Sequence, residues 1–244
     1  MRKIGLIAGF AGVCGIALVV FWPRGQEEQA YLPAPVEGAY VQLAFEGSLD
    51  TLGALNVSAQ SRDGDAVFSP GPTGSAYFAQ GDGRYLELAT PDLDILSKRI
   101  DISFDVKAEK WTNPYEKSAP VKTIAVVSGK SGDRIRHVIF NLSGDDRPAL
   151  SVSVEDETGS KDRLVSERGA LTTDWHRIRL VVDQAEDSTQ LYLDGELVAK
   201  SAVIPSIVSH GVDRVKIGTW YRQNQAFRGH VDNFVIRDAT RETG

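Results

Sequence analysis

The stretch Gln190-Leu191-Tyr192-Leu193-Asp194-Gly195-Glu196-Leu197-Val198-Ala199 decides the fold class. Two short runs with side chains alternating in character flank an Asp-Gly pair, and Asp-Gly tolerates the positive φ that a type I′ turn demands. The segment therefore predicts a two-stranded β-hairpin. The same period of two recurs outward from it, in Tyr85–Leu88, Ile100–Val106, Leu150–Val154 and His176–Val182, so these segments predict strands with one buried face. Breaks rich in Gly, Asp, Ser and Pro separate them at Ser69–Gly74, Gly81–Gly83, Ser128–Asp133, Gly144–Pro148 and Glu157–Lys161. No stretch beyond about eight residues keeps a helical period; Leu93–Lys98 comes nearest, at one or two turns. About twelve strands in about 200 residues, without a 20 to 50 residue repeat, predict one antiparallel two-sheet sandwich instead of a propeller or solenoid.

The N-terminal part has a different character. From Ile4 to Trp22 nineteen consecutive residues carry no charge. As a helix they reach about 28 Å, close to the roughly 30 Å of a bilayer core. The run is longer than a signal-peptide core and ends in Phe21-Trp22-Pro23-Arg24 without a good small-residue cleavage site, so it reads as a single transmembrane helix. Trp22 suits the interface, and Gly5, Gly9, Gly12 and Gly15 have spacings that allow another helix to approach. Arg2 and Lys3 before the run place the N-terminus in the cytoplasm and the rest of the chain in the periplasm or outside the cell. The expected organisation is an anchor at 1–22, an extended Pro- and Glu-containing linker at 23–39, a sandwich at 40–238 and a tail at 239–244. Cys14, the only cysteine, lies inside the apolar run, so an exported sandwich would stand without disulfides. Asn56 and Asn141 begin Asn-x-Ser sequons.

Charge excludes one class of partner. The chain has a net charge of −6, but residues 1–24 hold three basic residues and no acid, leaving −9 on the remainder. Nucleic-acid binding, which needs a basic face, is not expected.

Several motifs carry a family likeness: Ala44-Phe45-Glu46-Gly47-Ser48-Leu49-Asp50, then Trp175-His176-Arg177-Ile178, Leu191-Tyr192-Leu193-Asp194-Gly195, Lys216-Ile217-Gly218 and Phe227-Arg228-Gly229-His230-Val231-Asp232-Asn233-Phe234-Val235-Ile236. In this order they resemble the concanavalin A-like lectin/glucanase superfamily, particularly its laminin G-like and pentraxin-like members, over residues 41–238. The resemblance implies a jelly roll of two curved antiparallel sheets. Within it Trp175 is expected to plug the core, Asp194 and Gly195 to make the turn, and Gly229 to relieve crowding before the closing strand. The resemblance also implies calcium as the metal to weigh, with Asp50 and Asp232 at matching positions; their alternative role is turn and strand-end capping.

Catalytic patterns are missing. A glycosidase of this superfamily needs paired carboxylates across the scissile bond, commonly as Glu-x-Asp-x-x-Glu on one strand, and the chain has no such spacing. Asp92 with Asp94, Asp101 with Asp105, and Glu155-Asp156-Glu157 read as solvated loop charges. Only Glu155 or Asp105 opposing a second carboxylate would revive that chemistry. No Gly-x-Ser-x-Gly is present, and His137, His176, His210 and His230 are scattered. Binding surface is expected where aromatics interrupt polar loops: Trp111 and Tyr115 in one, Trp220, Tyr221, Arg222 and Asn224 in another. The first functional expectation is a non-catalytic structural or assembly subunit that contacts integral membrane proteins of a larger complex. The alternative is a membrane-tethered, lectin-like glycan-binding module.

Overall fold

The computed structural model describes residues 34–53, 58–93, 99–109, 121–131, 134–143, 147–155, 161–183, 185–201, 212–219 and 225–238. The expected anchor, most of the linker, the tail, the sequon at Asn56 and most of Leu93–Lys98 lie outside the described residues. No helix among the described residues is long and apolar enough to cross a membrane.

Among the described residues sixteen strands follow one another: β1 (Ala39–Leu43), β2 (Thr51–Leu52), β3 (Gln60–Arg62), β4 (Phe68–Pro70), β5 (Ser75–Gln80), β6 (Tyr85–Leu93), β7 (Arg99–Ala108), β8 (Val121–Ser131), β9 (Arg134–Ser143), β10 (Ala149–Glu155), β11 (Lys161–Val165), β12 (His176–Asp183), β13 (Ser188–Leu193), β14 (Glu196–Ser201), β15 (Val212–Ile217) and β16 (Arg228–Asp238). They form two antiparallel sheets. The first, nine-stranded, runs β14-β13-β12-β7-β16-β1-β2, with β5 on β16 and β4 on β5; the second runs β11-β10-β9-β8-β15-β6-β3. Sequence neighbours β7 and β8 lie in different sheets, as do β11 and β12, so the chain crosses repeatedly and the two sheets share one core. This is the expected all-β jelly-roll sandwich.

Alternation explains the core. Ile100, Ile102, Phe104 and Val106 of β7 face Val138, Phe140 and Leu142 of β9 and Leu150, Val152 and Val154 of β10 across the inter-sheet space, all buried. Phe104 meets Phe140 edge to face at 5.1 Å and stacks on Phe234 at 5.7 Å, tying both sheets together. Burial of each ring contributes about 1.5–3 kcal/mol. The hairpin forms as its sequence requires: Asp194 and Gly195 take φ of 53° and 87°. Asp194 does a second job, since its Oδ1 accepts the Arg177 backbone N–H at 2.7 Å and binds the turn to the start of β12.

Three expectations are corrected. Trp175 does not plug the core: Ile178 and Leu180 of β12 point inward, so by parity Trp175, Arg177 and Arg179 lie on the outer face, and Trp175 is only half-buried. Asp101 and Asp105 are not solvated loop charges but lie within β7, and Asp101 is fully buried although it faces away from the core. The first half of β7, from Ile100 to Phe104, is therefore buried on both faces, not one. Asn141 lies in β9, buried, with its Oδ1 accepting the Thr123 hydroxyl at 2.9 Å, which is no place for a glycosylation acceptor.

Candidate functional site

The outer face of the nine-stranded sheet carries a contiguous set of aromatic and charged side chains, built by strand register. Phe78 of β5 pairs His230 of β16, which pairs Lys107 of β7. Trp175 directly precedes β12, whose first residue His176 pairs Val106. Three rings are thereby brought together: Phe78 stacks on His230 at 4.8 Å, and Trp175 lies 6.0 Å from His230 at 53°. Ser69 Oγ sits 2.7 Å from His230 Nδ1, fixing the imidazole. Partial burial holds the His230 pKa below its usual value, so the ring is neutral near pH 7. Glu109 and Arg228 rim the patch, with Arg228 Nε donating to Glu109 Oε2 at 2.6 Å and the guanidinium 5.9 Å over the Phe78 ring.

A β-bulge between Asp232 and Val235 brings both side chains to this same outer face while Val231, Phe234 and Ile236 stay in the core. Asn233 takes up the extra residue at φ 48°. Its side-chain amide donates to Asp105 Oδ2 at 2.7 Å, and its own N–H donates to Asp232 Oδ1 at 2.7 Å. Gly229, the second residue of β16, has φ 151°, and a Cβ there would stand 2.4 Å from the Lys107 carbonyl oxygen, so the expected relief of crowding is real.

Asp50 and Asp232 occupy different environments. Asp50 is exposed, and its carboxylate accepts the hydroxyls of Ser48 at 2.7 Å and Ser58 at 2.6 Å, which hold its pKa below the usual range. That is turn capping. Asp232 is 0% exposed, and its Oδ2 has no hydrogen-bond partner. Burial first, then the Asp105 and Glu46 carboxylates, push its pKa up to about 7. A Cβ on Gly71 would stand 2.8 Å from this Oδ2 and 3.2 Å from the Ser75 carbonyl oxygen, so the missing side chain leaves a small cradle between two oxygens. Glu46 lies at the same turn, accepting the Ser75 N–H at 3.0 Å. Among the described residues no three His, Cys, Asp or Glu side chains form a metal cluster. A cation here would lean on Asp232, Glu46 and the backbone carbonyl of Ser75, an oxygen set that fits a hard ion such as calcium.

Two sets have the order of a hydroxyl, imidazole and carboxylate relay. In the first, His176 Nδ1 is 2.7 Å from Asp194 Oδ2 and its Nε2 2.9 Å from Thr172 Oγ1. That Nε2 already accepts the Thr172 backbone N–H at 3.0 Å, so the imidazole is spent on closing its loop. In the second, Ser69 and His230 meet, but Glu109 stands 3.8 Å from Nε2, beyond a hydrogen bond. Asp101 and Asp105 are committed to arginines: Arg177 Nη1 donates to both Asp105 oxygens at 3.0 and 3.1 Å, and Arg179 and Arg237 both reach Asp101 Oδ2.

The loop candidates Trp111, Tyr115, Trp220, Tyr221, Arg222 and Asn224 lie outside the described residues. The patch around Trp175 and His230 escaped the sequence reading, because its three rings lie 55 to 152 residues apart in the chain and meet only through strand register.

The family model described as the concanavalin A-like lectin/glucanases superfamily matches residues 82–243. The chain belongs to this superfamily. Among curated proteins none matches the sequence. Solved structures show the shared fold at low identity. Domain 4 of AbnA, an extracellular arabinanase from Geobacillus stearothermophilus solved in complex with arabinotriose, is 16% identical with a TM-score of 0.58, covering 83% of this chain and 94% of that one. The binding domain of botulinum neurotoxin DC, solved in complex with SialylT, is 14% identical with a TM-score of 0.59, covering 81% of this chain and 46% of that one. The binding domain of Paraclostridial Mosquitocidal Protein 1 is 13% identical with a TM-score of 0.60, covering 82% and 48%. The chain thus spans about half the length of these toxin domains.

Proposed function

We propose that this superfamily member is a non-catalytic, lectin-like glycan-binding module, tethered to a membrane by residues 1–22 and displayed outside the cytoplasm. The observation that carries the reading is the placement of Trp175 beside His230 and Phe78, half-buried on the outer face instead of in the core. A partly exposed tryptophan tilted at 53° against a stacked His230–Phe78 pair, with polar groups at the rim, suits a sugar ring, whose C–H faces pack on aromatics while its hydroxyls reach Lys107, Glu109 and Arg228. The glycan ligands named for the arabinanase domain and the botulinum toxin domain favour the same reading. The assembly-subunit expectation has no comparable support. The non-catalytic reading rests on the commitment of His176, Asp105 and Asp101 to structural partners. Calcium, if bound, would be held by Asp232 and Glu46 with the Ser75 carbonyl. It would supply fixed positive charge that pins the turn between β4 and β5 against β16.

The test is calorimetric titration of the full chain in detergent with arabinotriose first and a neutral glycan panel after it, with calcium and with chelator. Binding that falls at least tenfold in Trp175→Ala supports the proposal. A panel without any binding under either condition overturns it.

A further inference from the structure

Trp175 stands in a connection whose two ends are fixed in the core, Leu171 before it and Ile178 after it, both buried. Between these anchors the ring has little to lean on: its aromatic partner among the described residues is His230, tilted at 53° and 6.0 Å away. Where the ring stands is therefore set chiefly by the backbone on either side of it. That backbone is closed by a chain of hydrogen bonds that begins outside the loop, at the turn between β13 and β14.

Asp194 accepts through both carboxylate oxygens, from the Arg177 N–H at 2.7 Å on Oδ1 and from the His176 imidazole at 2.7 Å on Oδ2. A carboxylate only accepts, so the imidazole proton sits on Nδ1 and Nε2 keeps its lone pair. Nε2 turns that lone pair on Thr172, whose N–H donates to it at 3.0 Å and whose hydroxyl lies 2.9 Å away. The Thr172 hydroxyl oxygen in turn accepts the Asp174 N–H at 3.1 Å. Trp175 is thus flanked by two residues that are both tied down, Asp174 through Thr172 and His176 through Asp194. By strand parity His176 points to the opposite side from Trp175, and its side chain is only 11% exposed. A ligand on the outer face does not reach it, so it acts there only through the ring it holds.

The chain of bonds depends on which nitrogen carries the proton. An amide in place of the Asp194 carboxylate still accepts from Arg177 through its oxygen, but the NH2 it then offers to Nδ1 is a donor and moves the imidazole proton to Nε2. There it meets the Thr172 N–H, donor against donor, and the link to the loop is lost. The hairpin turn has no such dependence, because Asn before Gly takes the positive φ that Asp194 holds at 53°. Asp194→Asn therefore separates the loop from the fold.

We propose that Asp194 and His176 are positioning residues of the glycan site, which fix the 172–176 loop so that Trp175 is in place before a sugar arrives. The inference rests on the glycan-binding reading and adds to it two residues that touch no sugar. A ring already held by the chain spares the complex the ordering of that side chain, and a released ring should bind about threefold to tenfold more weakly.

The test uses the full chain in detergent, with imidazole nitrogen NMR for the His176 tautomer and fluorotryptophan NMR for Trp175, whose signal is assigned by its loss in Trp175→Phe. Calorimetry with arabinotriose, and then the neutral glycan panel, reads affinity. Wild type should show the proton on Nδ1. Asp194→Asn should move it to Nε2, displace or broaden the Trp175 signal, and weaken glycan binding by about threefold to tenfold, while unfolding in urea close to wild type. Thr172→Val, which removes only the hydroxyl link, should displace the same signal, and Thr172→Ser, which keeps that link, should leave signal and affinity as in wild type. If Asp194→Asn changes neither the Trp175 signal nor the affinity while Trp175→Ala still loses the glycan, the positioning role is overturned and the glycan-binding reading stands. Weaker binding with both NMR signals unmoved overturns the positioning role as well. A Trp175 signal displaced by Asp194→Asn in a chain that binds no glycan sinks the glycan-binding reading and leaves the control of Trp175 by Asp194 and His176 in place. No displacement and no binding overturn both.

Discussion

Replacing Asp232 by Asn interrogates the buried carboxyl directly. The side chain keeps its shape, and its carbonyl oxygen still accepts the Asn233 N–H, so what changes is charge and the group at the partnerless Oδ2. In the folded chain the carboxyl titrates near 7, against 3.8 as its ordinary value. Because the folded value is the higher one, the folded state holds a proton that the unfolded state has released between these limits. Its stabilisation is complete below about pH 4 and is lost as pH rises through about 7. Three pH units at 1.36 kcal/mol each set an upper figure of about 4 kcal/mol. Urea unfolding of wild type and Asp232→Asn, in chelator, across pH 4 to 8 reads the difference, and the other carboxylates titrate alike in both chains. The Asn chain should gain steadily on wild type between pH 4 and 7 and level off above it. For a chain of this size that upper figure corresponds to at most about 8–16 °C in melting temperature. If calcium occupies the oxygen set of Asp232, Glu46 and Ser75, adding it at pH 8 should stabilise wild type more than the Asn variant. A difference that does not vary with pH would refute the reasoning, since it would mean that Asp232 is charged and solvated in the native state.

Three further outcomes follow from the geometry. Trp175→Ala should cost about 1–2 kcal/mol in urea unfolding, because the ring lies on the outer face and is only partly buried, whereas a core plug would cost about 3–5 kcal/mol. Phe104→Ala, by contrast, removes a ring that touches both Phe140 and Phe234, and should destabilise by about 3–5 kcal/mol on the same assay. Gly229→Ala should destabilise by about 3 kcal/mol or more, measurable by thermal unfolding, because its Cβ collides with the Lys107 carbonyl and its φ of 151° is foreign to L residues.

Much of the fold was legible because its signals are local. The alternation in Ile100–Val106 and His176–Val182 marks strands wherever they pair, and Asp194-Gly195 specifies its turn from backbone sterics alone. The crowding at Gly229 was also readable, since a glycine opening an alternating run signals close approach of another backbone. The site was less legible. Period two says that Trp175 and Ile178 lie on opposite faces, but a tryptophan at a strand start reads as core until its parity is anchored to the neighbouring strand. Asp50 and Asp232 looked equivalent as carboxylates near turns; burial separates them, and burial belongs to the assembled sheets.

By itself, the sequence determined that residues beyond the linker form antiparallel strands around one core, where the hairpin turns, and that no acid pair has catalytic spacing. Each of these rests on steric or periodic rules acting over a few residues. Only the tertiary structure decided that Trp175, His230 and Phe78 share a patch, that Asp232 is stranded inside, and that Asp101 gathers arginines 78 and 136 residues away. Those outcomes depend on strand order and on one bulge in β16, where a single extra residue sets which side chains of the closing strand face outward.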